Sequence, residues 1–188
     1  MDGVDHFQAI KSLLGDSSTY YLIAVGMDSN YSYLNKHYAE IFQPIHGDLV
    51  GKNYAVTMHE DDLKICQVVS EKAFMDRESV FPATLRKHDG AGGFIITRWE
   101  YKAMFDENDE PLGIFCIGHD ITKFEQISGK LEEIKINYSH SIRRYVANLL
   151  GLGKLILNAK DMQDMQDAAK MIVHTATDLD KVVKEVNE

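Results

Sequence analysis

The stretch His140-Ser141-Ile142-Arg143-Arg144-Tyr145 concentrates the side chains in this chain that are best suited to group transfer. An imidazole nitrogen is a nucleophile that can carry a phosphoryl group. On a helix Arg143 and Arg144, three and four residues further on, share a face with His140. There they either hold a phosphoryl group or an acidic partner, or stand as two solvated arginines. At about 100° per residue His140 lies roughly 200° from both Tyr138 and Ile142, so it is predicted to point away from the apolar side of its helix. Asp120 and Thr122 form a second constellation. Thr122 is expected to cap a helix beginning at Lys123, with Asp120 accepting backbone or basic donors at the junction. The pair marks either a simple helix start or a point where movement passes into the helix.

The remaining reactive types are less suggestive. Cys66 and Cys116 lie singly in DLKICQVV and GIFCIGHD, apolar surroundings that predict two buried, reduced thiols. His6, His37, His46, His88 and His174 lack ligand spacing, so no metal site is expected. His59 and His119 are read as structural or exposed, and Trp99 as core packing.

The elements that must position His140 show in the hydrophobic period. Ile127, Leu131, Ile134, Tyr138, Ile142, Tyr145, Leu149, Leu152 and Ile156 recur at spacings of three and four, the signature of a bundled helix. The double step of four from Tyr138 to Ile142 is a stutter, and His140 sits inside it. A second seam runs through Met162, Met165, Ala169, Ile172, Ala176, Leu179, Val183 and Val186. Between them, Asn158 is placed to end the first helix and Asp161 to cap the second. So short a loop predicts an antiparallel hairpin. Each helix of a lone hairpin buries only one stripe, so a homodimeric four-helix bundle is expected.

The 188 residues are 45% hydrophobic and 26% charged, ordinary for a globular protein of one or two domains. A net charge of −9 argues against direct nucleic-acid binding, which needs a clustered positive face. No apolar run approaches the roughly 20 residues of a membrane span, and the N-terminus lacks signal-peptide features, so a cytoplasmic location is expected.

Residues 4–14 place Phe7, Ile10, Leu13 and Leu14 on one face of a short helix that Gly15 stops. Segments 20–27 and 31–35 flank Asp28-Ser29-Asn30 and predict a hairpin. A helix near 36–42 and a polar stretch over 44–54 follow. The segment 58–76 then carries Leu63, Val68, Val69, Ala73 and Phe74 at near-helical spacing. Three long strands, 80–87, 93–105 and 111–122, are joined by turn-rich HDGAGG and DENDE. This order predicts an α+β layer, a five-stranded antiparallel sheet with helices over one face.

With the Asp28/Asn30 turn, the run His59-Glu60-Asp61-Asp62 and the Asp120-Ile121-Thr122 terminus in place, residues 18–124 resemble a PAS sensory domain. That likeness implies that Asp120 and Thr122 tie the last strand to an outgoing signalling helix, and that a small ligand can occupy the cavity. No cofactor is expected. The Asn-Cys-Arg-Phe-Leu run of flavin photoreceptors is absent, and no histidine lies between Leu63 and Asp76 to hold haem. The division expected is an N-terminal amphipathic helix over 1–17, the PAS domain over 18–124 and a helical hairpin over 125–188.

The hairpin in turn resembles the dimerisation and phosphoacceptor region of sensor histidine kinases, whose box reads His-Glu/Asp-Leu/Ile-Arg-x-Pro. His140, Ile142 and Arg143 agree with it. The likeness implies that His140 is the phosphoacceptor, with a response-regulator receiver domain and an ATP-binding kinase domain as partners. Ser141 departs from the acidic position and offers no base at neutral pH. Tyr145 replaces the proline that would kink the helix. No Gly-rich nucleotide lid or Asn-bearing ATP site occurs up to Glu188, so autonomous kinase activity is not expected. Either this is part of a longer sensor kinase or the hairpin has another task. Two further readings stand beside the kinase module: a PAS dimer whose hairpin only assembles it, and a histidine phosphotransfer intermediate.

Overall fold

The computed structural model describes residues 3–185, so Met1, Asp2 and the seam position Val186 lie outside the described residues. The chain divides into two units, Met1–Gln126 and Ile127–Glu188. The first holds α1 (Gly3–Leu14), β1 (Tyr21–Gly26), β2 (Tyr31–Leu34), α2 (Lys36–His46), α3 (Leu63–Met75), β3 (Phe81–His88), β4 (Phe94–Phe105) and β5 (Pro111–Asp120). The five strands form one antiparallel sheet in the order β2-β1-β5-β4-β3.

Alternation along these strands divides the core in two. Ile23, Ala83, Leu85, Trp99, Tyr101 and Cys116 point to the face where Tyr38 and Phe42 of α2 and Cys66, Val69 and Ala73 of α3 pack. Leu22, Ala24, Met104 and Phe115 point to the other face, where Phe7 of α1 completes a smaller cluster with Ile10 and Tyr33 beside it. The sheet is therefore covered on both faces, not on one as its sequence predicts. The run Leu22-Ile23-Ala24 carries this difference, because an uninterrupted apolar strand belongs to a sheet buried on both sides.

Smaller departures have local causes. Leu13 is 79% exposed, because α1 packs through Phe7 and Ile10 one turn earlier. Val68 is likewise exposed, and the buried stripe of α3 runs through Cys66, Val69 and Ala73 instead. Helix α2 continues past Pro44 to His46, and the Gly47 N–H donates to Gln43 O. A proline there removes only the bond to the Glu40 carbonyl, and both residues are exposed, so water can satisfy it.

Helix α4 (Thr122–Leu157) starts in the first unit and runs unbroken through the stutter and through Gly151 and Gly153; α5 (Met162–Glu185) follows. Asn158 Nδ2 donates to Lys154 O at the end of α4, and Asp161 Oδ1 accepts from the Asp164 N–H at the start of α5. Tyr138, Ile142, Tyr145, Leu149, Leu152 and Ile156 are the less exposed apolar positions of α4 in the second unit. Ile127, Leu131 and Ile134 are 50–61% exposed. The helices differ in length, 36 residues against 24, so α5 is too short to reach the first third of α4.

On α5 the sheltered positions are Ala168, Ile172, Thr175, Asp178, Leu179 and Val182, whereas Met162, Met165, Ala169, Ala176 and Val183 of the predicted seam are exposed. Among the described residues only Ile172 and Leu179 serve both stripes. The apolar surface of α5 is thus wider than a single neighbouring helix covers.

Candidate functional site

A cavity of about 200 Å³ lies in the first unit between the sheet and α3. Its walls include Ile23, Tyr31, Tyr54, Phe74, Trp99 and Ile114, and Gln67, Ser70 and Glu71 of α3 also line it. Trp99 is held edge and face: its Nε1 donates to Thr97 Oγ1 at 2.7 Å, and Tyr21 stacks on it with centroids 5.9 Å apart. Gly118 pairs with it across the sheet, and a Cβ there would come within 2.5 Å of the indole ring. That close approach is what the glycine permits.

Two polar clusters border this space, one through Tyr31 and Lys87 and one through Cys66 and Tyr101. Tyr31 Oη lies 2.8 Å from both Tyr38 Oη and Thr57 Oγ1, and Lys87 Nζ donates to the same Thr57 oxygen at 3.1 Å. Opposite, Cys66 Sγ and Tyr101 Oη are 3.4 Å apart. Burial pushes the Cys66 and Cys116 thiols and the Tyr101 phenol up, so all three are neutral at physiological pH. Both cysteines are free and buried, as the sequence predicts. Trp99 is core and wall at once.

At the end of β5, Asp120 Oδ1 accepts from the Thr122 N–H at 2.7 Å, the role expected of it. Thr122 does otherwise than predicted. It is the first residue of α4 rather than its cap, and its Oγ1 accepts from the Ile96 N–H at 2.8 Å. The Ile121 N–H donates to Ile96 O. The β4–β5 ladder stops at Thr97 opposite Asp120, so both polar groups of Ile96 need partners beyond it. The start of α4 is consequently stitched to β4 as well as to β5. His119 is half-buried with Tyr20 against its ring, and His59 Nδ1 accepts from the Asp61 N–H in the turn ahead of α3. Next to that turn the buried Asp62 carboxylate takes three bonds from the Arg86 guanidinium and one from its backbone N–H.

In the second unit His140 is exposed, while Tyr138 and Ile142 on either side are partly buried. Arg143 and Arg144 are also exposed, the latter with its guanidinium 5.3 Å from the Tyr145 ring centroid. No side chain among the described residues is hydrogen-bonded to His140. Its position on α4 is thus that of a solvent-facing residue behind which Tyr138, Ile142 and Tyr145 form the sheltered stripe.

A family profile described as PAS fold matches residues 16–126, more than half of the chain. The chain belongs to the PAS fold family. A PAS domain from Colwellia psychrerythraea superposes on it with a TM-score of 0.53 at 14% identity, covering 62% of this chain and 98% of that one. Less similar in shape are a sensory box histidine kinase/response regulator from Burkholderia thailandensis (TM-score 0.48, 17% identity, 72% and 98% covered) and Cycle PAS-B from Drosophila melanogaster with bound ethylene glycol (0.47, 9%, 53% and 98%). No curated protein matches the sequence.

Within this PAS unit the residue that sequence reading passes over is Lys87. Strand β3 reads Phe-Pro-Ala-Thr-Leu-Arg-Lys-His, with Ala83, Leu85 and Lys87 buried on one side. Alternation alone puts Lys87 in register with two core residues, a signal present in the sequence. The Tyr31–Tyr38–Thr57 cluster carried no such mark, because its members come from three separate segments. No helix among the described residues is long and apolar enough to cross a membrane.

Proposed function

We propose that this chain is the input and dimerisation module of a two-component sensor histidine kinase, in which the PAS unit controls a helical bundle presenting His140 as phosphoacceptor. The observation that carries this reading is the exposure of His140 on α4 beside two arginines, with the apolar stripe turned the other way. In this scheme a second copy covers the open flank of the hairpin to make a four-helix bundle, so each subunit keeps one imidazole available. A ring nitrogen forms the N–P bond as the bond from the γ-phosphorus to the ADP oxygen breaks. Arg143 and Arg144 draw the anionic group toward that face. The phosphoryl group then passes to an aspartate of a receiver domain.

Control follows from the junction. Asp120, Thr122 and Ile96 fasten the first turn of α4 to two strands, so a change in the sheet, such as a small ligand entering the cavity, would tilt or rotate α4 and with it His140. A PAS dimer whose hairpin serves assembly alone is the second reading, and Ser141 and Tyr145 favour it, since neither supplies the base nor the kink of the kinase box.

The deciding experiment incubates the protein with a separated ATP-binding kinase domain and labelled ATP, and in parallel with a phosphorylated receiver domain. Acid-labile label that disappears in His140→Ala is the expected result. Label from the receiver alone would assign a phosphotransfer intermediate, and no label from either donor would leave the assembly reading in its place.

A further inference from the structure

Lys87 is 2% exposed and sits in the wall of the cavity. Its ammonium has three N–H donors, and the one acceptor it reaches is Thr57 Oγ1 at 3.1 Å. Trp99 and Tyr38 offer their rings with centroids 5.3 and 5.7 Å from Nζ. Among the described residues it has no carboxylate partner, whereas the lysines and arginines that do form ion pairs there have side chains 39–74% exposed. Taking a cation out of water without a counter-charge is heavily penalised, and two aromatic faces and a hydroxyl offset only part of that penalty. A counter-anion entering the cavity would meet the spare ammonium donors at its wall.

The rest of the enclosure limits what that anion can be. At about 200 Å³ the cavity is smaller than the roughly 300–1,000 Å³ pockets that bury drug-sized ligands. Beyond Lys87 and Tyr31 the walls are mainly aromatic and aliphatic, from Tyr54, Phe74, Trp99 and Ile114. Glu71 also lines the space and would repel a second negative group. We infer that the PAS cavity binds a small apolar monocarboxylic acid, its carboxylate accepting from Lys87 Nζ and its hydrocarbon body packed on Trp99. This deepens the sensory reading above and rests on it for its biological meaning, although binding is measured independently of phosphotransfer.

Trp99 is the sole tryptophan of the chain, so its fluorescence reports the cavity directly. The probes are benzoate, phenylacetate and isovalerate, each set against its own primary amide of nearly equal shape, titrated into the full chain with calorimetry alongside. The expected result is that at least one acid binds about 10-fold or more tighter than its amide, the ratio that one charge-assisted hydrogen bond supplies. In Lys87→Met the ratio should fall to about one, since only the charge contact is lost. Amides binding as well as acids, no binding by any acid, or selectivity that survives in Lys87→Met would each overturn the assignment. Where the variant fails to fold, the acid-to-amide ratio on the wild type decides alone. Carboxylate selectivity without labelling of His140 would overturn the kinase reading and keep this one; labelling of His140 without selectivity would do the reverse.

Discussion

The two units of this chain treat their apolar side chains in opposite ways. In the PAS unit both faces of the sheet are closed over, by α2 and α3 on one side and α1 on the other. In the helical unit only Leu152 and Ala168 are buried among the described residues, and Leu131, Ile134, Leu150, Leu155, Met162 and Met165 are 41–68% exposed. Two helices of this length have too little interior to bury such a surface. The contrast teaches that the first unit encloses a core of its own, whereas the second leaves most of its apolar stripe open among the described residues. Our dimer proposal supplies the missing half.

Substitutions should separate the two units if this contrast is right. Trp99→Ala removes the largest core side chain of the PAS unit and should cost it about 4 kcal/mol; thermal unfolding followed by near-ultraviolet dichroism would register the loss, with self-association unchanged. A smaller effect is expected from Leu131→Glu combined with Ile134→Glu. Charges on the open stripe of α4 should weaken the dimer about 100-fold, near 3 kcal/mol, and sedimentation at graded concentration measures it. The PAS unit should melt where it did before. If instead the PAS unit is destabilised, the stripe is not a free surface and the contrast fails.

Next in size is the Asp62–Arg86 pair. The Arg86 hydrogen bonds hold the Asp62 carboxyl below its ordinary value against the opposing effect of burial. A carboxyl depressed in the folded state contributes stability that is present above its unfolded value of about 4 and lost as pH falls through the folded value. Asp62→Ala should cost about 2 kcal/mol at neutral pH by leaving the Arg86 backbone donor unpaired, and a pH series of melting temperatures should lose part of its acid slope. Smallest is Asp161→Ala, which removes the acceptor for the Asp164 N–H at the start of α5 and should cost the hairpin about 1 kcal/mol. Far-ultraviolet dichroism during melting would detect it.

What the sequence discloses differs between the units for a physical reason. Helix hydrogen bonds and caps are local, so the boundaries of α4 and α5 and the capping by Asp161 follow from residues a few places apart. Strand positions were equally legible from turn residues and apolar runs. The hidden features all depend on long-range pairing. Thr122 looked like a cap because its neighbours are helical, and its actual partner, Ile96, is brought to it only when β4 and β5 pair. The second cluster behind β1 was half-visible in Leu22-Ile23-Ala24, but that α1 would cover it was not. Along α5 the sequence marks a seam without dividing it between neighbours, which is why Ala169 and Ala176 proved exposed while Ala168 is buried. Lys87 was readable from strand period alone; its lack of a counter-charge was not.

The dimer proposed above has two copies of this chain joined through α4 and α5. Sedimentation equilibrium of the full 188-residue chain tests it directly. The expected result is a dimer that Leu131→Glu/Ile134→Glu converts to monomer while the PAS unit stays folded. A wild-type chain that sediments as a monomer at concentrations where the helices are formed would contradict it.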